Sequence, residues 1–325
     1  MSSSRKIRVG VVGVGFLGKL HAEKYSKIDG AELVGVTDAD PERAAEIAAA
    51  FGTRAFAAHE DLFGLVDAVS VVTPTQSHCP ISLDFLSRGV DVLVEKPIAL
   101  NTDEADRMIA EAAKSGRVLQ VGHLERFNAA IAALEGKVAG PWFLDALRAS
   151  PFPNRSTDVD VVLDVMIHDI DIVLDVVRSK VKSVTAVGRT MVSGKADMAS
   201  ARLTFANGCV ASITASRVAR DKVRSLDIYQ NGADGKSPAV LSVDFSTQQL
   251  SISRPSGRGG GEEPISHEAI GVTRCDSLME ELKSFVACCA TRSTPPVTGE
   301  HGRDALAVAA MIQASIRENA GKAGV

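Results

Sequence analysis

The chain has 325 residues, a formal net charge of −4 and an aromatic content of 4 %; that length suits about two domains, each able to bury its own core, and excludes a miniprotein scaffold. Basic residues are spread along the chain, which excludes the continuous positive face that a nucleic-acid backbone requires. The five cysteines (Cys79, Cys209, Cys275, Cys288, Cys289) are odd in number and form no CxxC pair, so the expectation is a reducing cytoplasm rather than a disulfide framework or a zinc knuckle.

Arg5, Lys6 and Arg8 precede the apolar run VGVVGVGFLG and imitate a secretory leader. Four glycines interrupt that run and no small-x-small cleavage site follows it, so it reads as a strand and a turn. Elsewhere no stretch of about 18 apolar residues predicts a membrane span. Up to about residue 122, the apolar runs IRVGVVG, AELVGVTD, DAVSVVTP, DVLVEKP and RVLQVG alternate with Ala-rich helical patterns, which is the signature of βαβ units and a parallel sheet. Asp40-Pro41-Glu42 and Asn101-Thr102-Asp103-Glu104 place caps and acids where two of the helices begin.

Gly13-Val14-Gly15-Phe16-Leu17-Gly18 follows the first strand and opens the first helix. Gly13 permits a tight turn, Gly15 lets the backbone approach a pyrophosphate, and Gly18 lets helix and strand pack closely. Asp38 ends the second strand, where an acid accepts hydrogen bonds from both adenosine ribose hydroxyls. An acid there repels a 2′-phosphate, so NAD is expected over NADP, although Arg43 stands at the start of the next helix and could swing toward the adenosine. The Thr73-Pro74-Thr75-Gln76-Ser77-His78 segment lies past the fourth strand, either as a cofactor contact or as a plain loop and helix cap. Glu95-Lys96-Pro97 ends a buried apolar strand with two charges; Lys96 is either a donor to a substrate oxyanion or the partner of Glu95 in a surface pair.

After about residue 124 the rhythm changes to a helix near 124–135, a strand near 142–150, a helix near 160–177, and then successive strands. Asn207-Gly208 tolerates the positive φ of a tight hairpin. The segment SRPSGRGGGEEP, 253–264, reads as a mobile connector that opens no helix, and 276–290 and 303–318 read as two helices. In LDVMIHDIDIVLDVV, Leu163, Met166, Ile167, Ile170, Leu174 and Val177 form an apolar stripe, with Asp164, His168, Asp171 and Asp175 on the opposite one. Asp164 and His168 are four residues apart, so a carboxylate can orient an imidazole suited to taking a hydroxyl proton; the other reading is a solvated acidic face carrying one histidine. A metal held by Asp164, His168 and Asp171 lacks another His or Cys at fitting spacing, so no metal is expected. His21 and His59 read as structural residues, remote from the strand ends.

GVGFLG, VTDADPERA, TPTQSH, EKP, GHLERFN and DVMIHDID together resemble the glucose-fructose oxidoreductase and inositol dehydrogenase (Gfo/Idh/MocA) family of NAD(P)-dependent oxidoreductases, over nearly the whole chain. The resemblance implies an α/β fold: an N-terminal Rossmann doubly wound parallel sheet, 1–123, and a C-terminal α+β domain, 124–325, on a large, mostly antiparallel open sheet. It implies that Lys96, Asp164 and His168 are catalytic. It places Gly13, Gly15, Gly18, Asp38, Thr73, His78, Glu95 and Lys96 along the cofactor, with Val14, Phe16, Leu17 and Pro74 in the same segments. It implies a homodimer or homotetramer formed through the second sheet, and C-terminal helices, 303–318 among them, packed back on the first domain. GHLERFN looks most like members acting on nucleotide sugars, especially UDP-N-acetylglucosamine 3-dehydrogenases. His123, Arg126 and Asn128 then join Lys96, Asp164 and His168 on the substrate, with Arg126 either a phosphate partner or part of a helix surface. The expected partner is a sugar or nucleotide sugar, not nucleic acid or membrane. The alternatives are a polyol or aldose dehydrogenase of the inositol type and a non-catalytic NAD-binding sensor.

Overall fold

The computed structural model describes residues 5–152, 159–232, 237–256 and 264–322. Contacts divide the chain into two units, Met1–Leu124 with Asp276–Asp304, and Glu125–Cys275 with Ala305–Val325.

In the first unit, β1 (Ile7–Val12), β2 (Ala31–Thr37), β3 (Arg54–Phe56), β4 (Ala68–Val71), β5 (Asp91–Glu95) and β6 (Leu119–Gly122) form one parallel sheet in the order β3-β2-β1-β4-β5-β6. Every residue of β4, β5 and β6 is buried, as expected of strands covered on both faces. The covering helices are α1 (Phe16–Tyr25), α2 (Pro41–Phe51), α3 (His78–Leu86) and α4 (Thr102–Ser115). The expected caps form: Asp40 accepts the N–H groups of Glu42 and Arg43, and Asn101 accepts that of Glu104. Strand order reverses between β1 and β4, so the crevice beyond their carboxyl ends is where a doubly wound sheet takes its ligand.

The second unit begins differently from the expected helix at 124–135. A 3₁₀ turn (Leu124–Phe127) gives way to the short α5 (Ala129–Ala132), because the Asn128 side chain accepts the Ala130 N–H and starts the helix afresh. Its eight-stranded sheet comprises β7 (Pro141–Ala149), β8 (Val181–Arg189), β9 (Met198–Phe205), β10 (Val210–Ser216), β11 (Val223–Gln230), β12 (Ala239–Asp244), β13 (Gln249–Pro255) and β14 (Ile265–Ile270). The order is β14-β13-β12-β11-β7-β10-β9-β8, antiparallel except where β10 pairs with β7. β9 and β10 form the hairpin expected at Asn207-Gly208, with Gly208 at φ 89°. Ala211, Ile213 and Ala215 share a core with Ile167, Ile170 and Val173 of α6 (Ile167–Val177). α6 is entered through a turn of π-helix, Val162–Met166. Of the glycine-rich connector at 253–264, residues 257–263 lie outside the described residues.

The two C-terminal helices go to different cores. α7 (Ser277–Thr291) places Leu278, Leu282, Phe285 and Val286 in the cluster that holds Val9, Val11 and Tyr25 of the first unit. α8 (Gly299–Lys322) places Ala305, Val308, Ala309 and Ile312 in the core of the second. The expectation that 303–318 packs on the first domain is therefore corrected from Ala305 onward. No helix among the described residues is long and apolar enough to cross a membrane.

Candidate active site

β1 runs directly into the glycine turn, and its three glycines have three different surroundings. Gly13 sits at φ 85°, and a Cβ there would come within 2.5 Å of the Val72 carbonyl oxygen. A Cβ on Gly18 would strike the Gly13 carbonyl, so α1 lies hard against the turn. Around the Cβ direction of Gly15 nothing among the described residues lies within 4 Å. Val14 is buried, Leu17 half-buried and Phe16 exposed. No side chain caps α1, so an anion at the turn meets the positive end of the helix dipole.

Asp38 follows β2 and braces this turn. One carboxylate oxygen accepts the Val14 N–H at 2.7 Å and the other the Asp40 N–H at 2.9 Å. Each oxygen keeps a second lone pair for a ligand hydroxyl. Arg43 Nη1 lies 3.7 Å from the same carboxylate. Beyond β4, the Thr73 hydroxyl oxygen is buried without a hydrogen-bond partner among the described residues, and Pro74 is exposed. An open Gly15, an uncapped helix start, an acid at the end of β2 and an unpartnered Thr73 hydroxyl fit a dinucleotide.

Lys96 stands immediately after β5, and the Lys96–Pro97 peptide is cis. Glu95 is buried, so it is not the surface partner of Lys96; its Oε2 accepts the Lys96 main-chain N–H at 3.2 Å. Its Oε1 lies 3.2 Å from Nε2 of His21, within ion-pair range although off the line of a hydrogen bond. His21 is thus beside a strand end, not remote from it. His78 has its Nδ1 2.9 Å from the Pro97 carbonyl and its Nε2 2.8 Å from the Thr73 carbonyl. Burial, the larger effect, pulls its imidazole below the usual value, against these two acceptors, so a neutral ring donates to one of them. His123, just past β6, is buried.

In the second unit, Asp164 lies in the π-turn and His168 in the first turn of α6, both half-buried. Neither reading of Arg126 describes its surroundings. Its Nε and Nη2 donate to the two oxygens of Asp171, at 2.6 and 3.0 Å, and its Nη1 lies 2.8 Å from Asp175. Asn128 donates to Glu125 and to the Phe245 carbonyl while capping α5. Asp171 is buried, so α6 does not present a solvated acidic face there.

Arg217, at the end of β10, has no counterpart in the expected site. It is fully buried, held by Asp197 at 3.0 Å and by the Ser193 hydroxyl at 2.9 Å, and its Nη1 comes within 4.0 Å of Asp164. Asp197 itself accepts the N–H groups of Met191, Val192 and Ser193. The segments that meet here are separated in sequence and carry no motif, so only the fold reveals the group.

The family described as an oxidoreductase family with an NAD-binding Rossmann fold matches residues 7–123, and the GFO/IDH/MocA C-terminal domain matches residues 130–234. The UDP-N-acetylglucosamine 3-dehydrogenase of Acidithiobacillus ferrooxidans is 39 % identical over 315 residues, covering 95 % of this chain and 97 % of that protein. The solved structure of that name from the same organism superposes with a TM-score of 0.88 at 38 % identity, over 96 % of this chain and 98 % of that one. Myo-inositol 2-dehydrogenase of Thermotoga maritima is 28 % identical over 96 % of this chain and 97 % of its own length. Levoglucosan dehydrogenase in complex with NADH and levoglucosan shares the fold, with a TM-score of 0.85 at 18 % identity over 97 % of this chain and 98 % of that one. Matched in both halves, and similar end to end to dehydrogenases, the chain belongs to the GFO/IDH/MocA family of NAD-binding oxidoreductases.

Proposed function

We propose that the chain is an NAD-dependent dehydrogenase that oxidises a ring hydroxyl of a nucleotide sugar to a ketone, with C3 of UDP-N-acetylglucosamine as the reacting position. The observation that carries the cofactor assignment is the space around the glycine turn, closed at Gly13 and Gly18 and open at Gly15. Likeness to the Acidithiobacillus enzyme over nearly the full length of both chains supports the sugar.

When bound, the nicotinamide supplies the hydride acceptor. Lys96 Nζ donates a hydrogen bond to the reacting oxygen and stabilises its alkoxide character. His168 accepts the hydroxyl proton on a ring nitrogen, while Asp164 orients that ring and stabilises its cation. Asp38 takes the adenosine ribose hydroxyls and disfavours a 2′-phosphate, which selects NAD over NADP. Phe16, Leu17, Thr73 and Pro74 border the cofactor, and His123 contributes to the sugar side. Arg126 and Asn128 brace the second unit, Arg126 through Asp171 of α6 and Asn128 through the Phe245 carbonyl, since their polar atoms are already engaged by these neighbours. Assembly into a homodimer or homotetramer is assigned to the sheet face carrying Phe143, Leu147, Val210 and Tyr229, which lie outside the core of their unit. Five free thiols accord with a cytoplasmic location.

The test is absorbance at the NADH band with NAD and a panel of UDP-N-acetylglucosamine, free N-acetylglucosamine and myo-inositol. Turnover restricted to the nucleotide sugar is expected. Turnover of inositol alone favours the polyol reading that the Thermotoga relative supports. Cofactor binding with no turnover of any sugar contradicts the assignment and favours a sensor.

A further inference from the structure

Lys96 sits on a turn that two buried histidines engage from either flank, and neither histidine belongs to the group assigned to proton or hydride transfer. On the β5 flank, Glu95 accepts the Lys96 N–H with Oε2 and meets His21 with Oε1. On the other flank, His78 lies within hydrogen-bond distance of both the Pro97 and the Thr73 carbonyls. Gly122, at the end of β6, leaves room for the carboxylate, since a Cβ there would sit 2.8 Å from Glu95 Oε1.

A second carboxyl, Glu281 of α7, lies close enough to Glu95 to feel its charge. It is fully buried, and among the described residues neither of its oxygens has a hydrogen-bond partner. Two neighbouring carboxyls in such a place cannot both ionise without a large cost. Burial and the charge on Glu95 push Glu281 well above the usual carboxyl range, so Glu281 keeps its proton. Burial also pushes Glu95 upward, but His21 and Lys96 outweigh it and hold Glu95 below that range, so Glu95 carries the charge.

We propose that His21 and Glu95 on one flank, and His78 on the other, are positioning residues that set the direction in which Lys96 leaves its turn. This rests on the assignment of Lys96 to the reacting hydroxyl. In the sequence His21 looks structural, because a histidine within α1 gives no local sign that β5 ends beside it.

Glu95→Gln and Glu281→Gln are equally conservative changes at two buried carboxyls, and they separate positioning from mere packing. Glu95→Gln places an amide nitrogen against the donors that the carboxylate served, whereas Glu281→Gln resembles the protonated acid it replaces. Two readouts apply to the full chain: kcat, sugar KM and NADH Kd, and the acylation rate of Lys96 by an amine-reactive ester, followed by peptide mass spectrometry. Glu95→Gln and His21→Ala are expected to lower kcat by about a hundredfold, the scale of a misplaced reacting group, with the NADH Kd of His21→Ala close to that of the unaltered chain. Both are expected to alter Lys96 acylation severalfold. Glu281→Gln should leave both readouts unchanged, and His21→Gln, with an amide nitrogen near the former Nε2, should recover part of the loss. Equal effects of Glu95→Gln and Glu281→Gln, or unaltered Lys96 acylation in Glu95→Gln and His21→Ala, overturn the proposal. If Glu95→Gln fails to fold, Gly122→Ala displaces the carboxylate without removing its charge and must give the same pattern. Acylation needs no substrate, so it decides the positioning role even if the sugar panel contradicts the proposed reaction.

Discussion

At Asp38 two main-chain amides already occupy one lone pair on each carboxylate oxygen, so the residue shapes the glycine turn and keeps a lone pair on each oxygen for the ribose hydroxyls it is proposed to hold. Asp38→Ser is expected to weaken NAD binding by about 10- to 100-fold, the range for losing charged hydrogen bonds. It should weaken NADP binding less, because Arg43 loses the carboxylate 3.7 Å away. Fluorescence titration with both cofactors reads the ratio, and an unchanged ratio contradicts the role given to Asp38. Glu281 makes a prediction of opposite character. Because its pKa is raised by burial and by Glu95, the folded chain binds that proton more tightly than the unfolded one. That contribution is fully present below the unfolded carboxyl range, about pH 4, and is lost as pH rises toward the folded value. Glu281→Gln should therefore raise Tm at about pH 8 and leave it nearly unchanged at about pH 4, with the reverse pattern contradicting a protonated Glu281. Lys96 and Asp38 were legible in the sequence because a charge at the end of an apolar strand is conspicuous. His21 and Glu281 were not, since their significance lies in which distant strand end they meet.

α6 shows how far helical periodicity carries. Met166, Ile167, Ile170 and Val177 of the expected apolar stripe are buried, but so are Asp169 and Asp171. Their partners come from other elements: Arg148 of β7 reaches both Asp169, at 2.8 Å, and Glu125, at 2.8 Å, while Arg126 reaches Asp171. A helical wheel cannot reveal an arginine supplied by a strand. The turn that carries Asp164, Val162–Met166, is π-helical rather than α-helical, a departure common where helices carry function. Asp169→Ala leaves Arg148 with Glu125 alone among buried partners, and is expected to cost about 3–5 kcal/mol of stability. Urea unfolding measures it, and a loss under about 1 kcal/mol would mean that the network behaves as a surface pair.

Across the whole molecule, strand alternation made the first sheet legible, and the hairpin at Asn207-Gly208 did the same for part of the second. The path of the chain was less legible, because an amphipathic helix carries no local mark of the core it will join. The first unit is completed by Asp276–Asp304, so a chain ending after residue 124 lacks Leu278, Leu282, Phe285 and Val286 from its core. Such a fragment is expected to lose cooperative thermal unfolding, and linking 276–304 back onto it should restore that transition and NADH binding together. A stable, NADH-binding fragment of the first 124 residues would contradict this division.

Lys96 and His168 are proposed to act on one substrate hydroxyl, and a double-mutant cycle in kcat for UDP-N-acetylglucosamine oxidation tests whether they do. Lys96→Ala and His168→Ala should each lower kcat by about 10²- to 10⁴-fold, with NADH still bound. The double variant should be little worse than the poorer single one, as for residues that act as a unit. Losses that multiply independently, or single variants that keep turnover while losing NADH, would mean that Lys96 and His168 do not share one hydroxyl.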